Sequence, residues 1–81
     1  MNYHSYNEVL DYLKDFFKAR VESPTYLKEL IYLIEGSRSE KTVTIRAIYQ
    51  KYMQYIKENR DVVRVIPGEK EMWIELLDHW Q

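Results

Sequence analysis

The chain has 81 residues, 46% of them hydrophobic and 31% charged, and a formal net charge of −1. That length allows one domain, and that composition belongs to a folded globular chain rather than a disordered tail. Cysteine is absent, which excludes disulfides and thiolate metal sites, and no apolar run approaches the roughly 20 residues that span a bilayer.

The first helix is predicted over about 6–21. Ser5 and Glu8 form a Ser-x-x-Glu capping box ahead of an apolar run. At 100° per residue Tyr6, Val9, Leu10, Leu13, Phe16, Phe17 and Val21 fall on one side, and Asn7, Asp11, Lys14, Asp15 and Lys18 on the other. Ser23-Pro24 restarts the chain as N-cap and first helical residue. Tyr26, Leu27, Leu30, Ile31, Leu33 and Ile34 then make an apolar face, with Tyr32 the one large aromatic on the polar side. Gly36 stands where a C-terminal cap wants positive φ, so the second helix is expected over 24–35 and residues 37–41 as a polar loop.

Thr42-Val43-Thr44 is β-favouring and reads either as a short strand or as a lead-in with Thr44 as N-cap. A third helix follows at 45–58, with Ile45, Ile48, Tyr49, Tyr52, Met53, Tyr55 and Ile56 on one arc and Asn59 as its stop. Residues 61–66 are β-branched and read as a strand. Pro67-Gly68 marks a turn, with Pro at its second position and Gly at its third, and residues 71–77 read as the return strand. The expected class is α+β, mainly α: one domain over 1–81, a three-helix core followed by a C-terminal β-hairpin.

In element order, with no sequence motif behind it, this arrangement resembles the winged helix-turn-helix domains. The resemblance implies a DNA-binding protein, with Ile45–Glu58 as the helix that enters the major groove and Val62–Leu77 as the wing. Charge placement agrees in part. Residues 37–64 carry seven basic and three acidic side chains, whereas the segments on either side are acidic on balance. Arg46, Gln50, Gln54 and Lys57 lie within about 80° on one face of the third helix, and Arg and Gln suit guanine and adenine edges. Arg38, Lys41, Lys51, Arg60 and Arg64 add cations for phosphates. The same polar arc is also what any solvated amphipathic helix carries, and the wing tip, Gly68-Glu69-Lys70-Glu71, is acidic on balance.

Two readings follow. One is a small transcriptional regulator of double-stranded DNA, working as a homodimer in the cytoplasm. The other is a protein-interaction module, adaptor or inhibitor, with Tyr32 and Trp80 as partner contacts, since Tyr and Trp are enriched at binding hot spots. No enzyme, cofactor, metal or membrane association is expected. His4 and His79 stand alone near opposite ends, and neither a triad nor a phosphate-cradling glycine loop is present.

Overall fold

The computed structural model describes residues 5–40, 43–60 and 66–80. They form four α-helices: α1 (Tyr6–Arg20), α2 (Pro24–Glu40), α3 (Ile45–Glu58) and α4 (Glu69–His79). The chain divides into two compact units, Met1–Val43 with α1 and α2, and Thr44–Gln81 with α3 and α4.

In the first unit the caps act as the sequence predicts. The Ser5 hydroxyl accepts the Glu8 N–H at 3.2 Å, and the Ser23 hydroxyl accepts the Tyr26 N–H at 3.3 Å. Val9, Leu10, Leu13 and Phe17 of α1 and Leu30 and Ile34 of α2 are fully buried. α2, however, does not stop at Gly36. It runs on to Glu40, through most of the expected polar loop, and Gly36 keeps a negative φ. The reason lies in long-range contacts that local propensity does not register. Ser37 is buried and shares a hydrogen bond between its hydroxyl and that of Tyr6. Arg38 reaches Asp11 at 2.6 Å and Glu35 at 3.3 Å, and Lys14 lies 3.7 Å from Glu35. These contacts offset the roughly 1 kcal/mol that an interior helical glycine costs. They join the start of α1 to the end of α2, so the pair is an antiparallel hairpin.

In the second unit Thr44 caps α3, its hydroxyl accepting the Ala47 N–H at 3.1 Å, and the helix has the predicted limits. Val43 and Thr44 form no strand. The Asn59 side chain donates to the Tyr55 carbonyl at 2.9 Å and closes the last turn.

The expected C-terminal hairpin is overturned. Residues 61–65, most of its first strand, lie outside the described residues, and its return strand, 71–77, falls inside α4. Among the described residues there is no strand, so the class is all-α rather than α+β, and the wing assigned to Val62–Leu77 is not present there. Met72, Trp73 and Leu76 are buried, an i, i+1, i+4 spacing that a helix places on one side. Glu69 and Glu71 in the first turn suit the helix dipole. The Pro67-Gly68 turn survives in another role. The Glu69 N–H bonds the Ile66 carbonyl at 3.1 Å, and Gly68 has φ 87°, ψ −12°, as the third residue of a type II turn requires. The Gly68 carbonyl then accepts the Met72 N–H at 3.0 Å, so the turn starts α4 instead of reversing a hairpin.

The two glycines therefore have opposite substitution signs. A Cβ on Gly36 would meet Val43 Cγ2 at 3.4 Å, an ordinary contact, so Gly36→Ala should stabilise by about 0.5–1 kcal/mol. Gly68→Ala should destabilise by about 1 kcal/mol, because the left-handed φ strains any Cβ even with open space around it. Thermal unfolding followed by circular dichroism checks both. Shifts of the same sign would contradict the helical placement of Gly36.

Candidate functional site

The nucleic-acid set read from the sequence is only partly brought together. Arg46, Gln50, Gln54 and Lys57 are exposed along one arc of α3, Lys51 is half-buried on the same helix, and Arg60 is exposed just after it. Arg38 belongs instead to α2 in the other unit, where Asp11, Glu35 and the Asn7 side chain at 3.4 Å surround its guanidinium. The hydrogen bond it donates to Asp11 raises its pKa above the ordinary arginine value, so it stays charged and engaged within its own unit. Residues 37–40 thus form no loop before α3. Lys41 and Arg64 lie outside the described residues.

Of the two partner-contact residues, Tyr32 is 79% exposed on α2, beside a shallow hollow formed with Glu35, Gly36, Ser39, Glu40 and Val43. Trp80 is half-buried, its ring edge-on to His79 with centroids 4.8 Å apart.

The feature that the strand reading hid lies between α3 and α4. Tyr49 and Met53 of α3 face Trp73, Ile74 and Leu77 of α4 across a cleft of about 350 Å³, with Glu69 and Lys70 at one end. Each wall follows from helical spacing. Tyr49 and Met53 are i, i+4, and Glu69, Trp73 and Leu77 are i, i+4, i+8. The Tyr49 and Trp73 ring centroids stand 5.1 Å apart at 53°, and Tyr52 and Trp73 stand 5.8 Å apart at 32°. Glu69 is only 3% exposed, and its Oε2 accepts the Tyr52 hydroxyl at 3.0 Å. Ile74, by contrast, is 57% exposed on the cleft edge. Glu71, Glu75 and Asp78 are exposed on the same outer arc of α4. The site is thus an apolar, aromatic trough with a carboxylate at one end and an acidic flank. Reading 69–79 as a helix would have revealed it, and the run of Glu, Lys, Met and Leu, all good helix formers, is the signal for that reading.

No protein-family model matches the chain, and no curated protein or solved structure matches it either. Among the described residues, no helix is long and apolar enough to cross a membrane.

Tyr52→Phe should cost about 2 kcal/mol, because a buried carboxylate loses a donor while the ring volume is kept. Urea denaturation reads this directly. A change below about 0.5 kcal/mol, the ordinary scatter of a surface substitution, would contradict this role for the bond.

Proposed function

We propose that the chain is a protein-interaction module that takes an amphipathic helical segment of a partner protein in the α3–α4 cleft. One observation carries the reading: an apolar trough edged by exposed Ile74, on a helix whose outer arc bears three carboxylates, Glu71, Glu75 and Asp78, against one cation, Lys70. A groove between two helices is a common receptor for the apolar face of a third. The exposed Glu71, Glu75 and Asp78 fit a segment with basic flanks, since complementary charge fixes register and suppresses wrong partners. Charge balance points the same way. Residues 44–81 carry six basic and six acidic side chains, which gives no net field to attract a polyanion.

A titration of the isotope-labelled 81-residue protein with a synthetic amphipathic Leu/Gln peptide of about 14 residues, the length of a marginal isolated helix, tests the reading. Resonances of Trp73, Ile74 and Leu77 should move, and Ile74→Asp, at an exposed position, should weaken binding at least tenfold without loss of helicity. No movement in the cleft, or equal binding by Ile74→Asp, would overturn it.

A second reading has its own supporting observation, the exposed arc of Arg46, Gln50, Gln54 and Lys57 on α3. It makes the chain a DNA-binding protein through that face. Binding to labelled duplex DNA should then fall steeply with salt and be lost in Arg46→Glu/Lys57→Glu. No binding at low salt would remove this reading.

A further inference from the structure

We infer that the helix docked between α3 and α4 is acidic along the side that meets α3 and basic along the side that meets α4, and that this pairing fixes the direction in which it runs. This rests on the docking reading above and refines its charge requirement, since the basic flank belongs to the α4 side alone.

The cleft has two rims of opposite charge. At about 100° per residue, Arg46 and Lys57 follow the wall residue Met53 around α3 by about 20° and 40°, and Gln50 and Gln54 come next. All four are exposed. That arc contains no carboxylate, because Glu58, the one anion of α3, lies about 100° beyond Lys57. On α4 the order repeats with the other sign. Asp78 and Glu71 follow the wall residue Ile74 by about 40° and 60°, and both are exposed. Tyr52 meets Glu69 while Tyr49 lies beside Trp73, so the two helices run antiparallel. In an antiparallel pair both series lead outward to the same open side.

A helix laid there rests on Met53, Ile74 and Leu77, which are exposed or half-buried. Glu69 and Trp73, each 3% exposed, stay covered and take no part. Arg46 and Lys57 stand about 16 Å apart along α3, within the span of a docked helix of about 14 residues. Complementary charge across an interface fixes register, and like charges reject wrong partners. A segment basic on both sides sets cations beside Arg46 and Lys57. One acidic on both sides sets carboxylates beside Glu71 and Asp78. Only a segment with one flank of each sign suits both rims. Turning such a helix end for end exchanges its flanks, so a single chain direction fits. The opposing charge is Lys70, at one end of the cleft. It is exposed, its long stem lets the ammonium turn into water, and the carboxylates of α4 outnumber it.

The test uses three peptides of about 14 residues that share one leucine stripe. The first has Glu on one flank and Lys on the other, the second Lys on both, and the third Glu on both. Each is titrated into the intact chain, with the Ile74 and Leu77 methyl resonances as readout. At low salt the mixed peptide should bind about tenfold more tightly than either of the others, and the advantage should shrink at high salt as surface pairs are screened. Attraction by overall charge would instead rank the three by net charge, and that ranking would overturn the inference. Arg46→Glu/Lys57→Glu, at exposed positions, should move the preference to the peptide with Lys on both flanks. A spin label on the N-terminus of the mixed peptide should broaden resonances at one end of α4. A mixed peptide with its flanks exchanged should bind equally well and broaden the other end. Equal affinities, with all three peptides moving Ile74 and Leu77, would overturn this inference and leave the docking reading standing. Absence of movement with every peptide would overturn both. Shifts of Ile74 and Leu77 with protein concentration alone would overturn the partner assignment in favour of a second copy of the chain, whose turned-over face bears the same two rims. Should the double variant lose its helical circular dichroism, the peptide ranking on the unaltered protein still decides the matter.

Discussion

The buried hydrogen bond from Tyr52 to Glu69 is the constraint on which the second unit turns. Glu69 is the first residue of α4, and a carboxylate placed out of water must find donors. The Tyr52 hydroxyl supplies one from the middle of α3. That pairing sets the register of α4. Once Glu69 lies beside Tyr52, a further turn of helix brings Trp73 beside Tyr49 and Tyr52. The following residues then bury Leu76, leave Ile74 exposed and open the cleft. The positive φ of Gly68 serves the same end, since it turns the chain so that Glu69 enters the helix.

Much of this architecture is legible in the residues. Ser5, Ser23 and Thr44 are good N-caps by type, and each accepts a hydrogen bond as its type predicts. The apolar arcs of α1 and α3 have a clear 3.6-residue period, and the structure buries most of each, leaving Tyr6, Phe16, Tyr49 and Met53 half-buried. The Pro67-Gly68 turn is legible to the level of turn type. Two elements are not. The end of α2 is misread because Gly36 looks like a cap, and nothing local reveals that Ser37 will be buried or that Arg38 will meet Asp11, 27 positions earlier. Residues 71–77 are misread because Met72, Ile74 and Leu76 alternate with period two over a stretch too short to separate that from a helical stripe. Burial separates them, since Met72 and Trp73 lie inside together while Ile74 does not.

The candidate site inherits that ambiguity. A strand at 71–77 places Trp73 and Ile74 on opposite faces and offers no trough, so the sequence directs attention to the basic arc of α3 instead. The helix brings Trp73, Ile74 and Leu77 to one edge opposite Tyr49 and Met53. It also carries the carboxylates of the expected return strand and its tip, Glu71, Glu75 and Asp78, onto one exposed arc of α4. Arg38, which the sequence reading assigned to a loop before α3, is held within the α1–α2 hairpin by Asp11 and Glu35.

The most direct measurement of this account is the set of 13Cα chemical shifts across residues 69–79 in solution. A continuous downfield run, ending near His79, is the result expected of a helix that begins at the Gly68 turn and builds the cleft. An upfield run over 71–77 would mean a strand, and with it neither the Tyr52–Glu69 register nor the trough between α3 and α4 would exist.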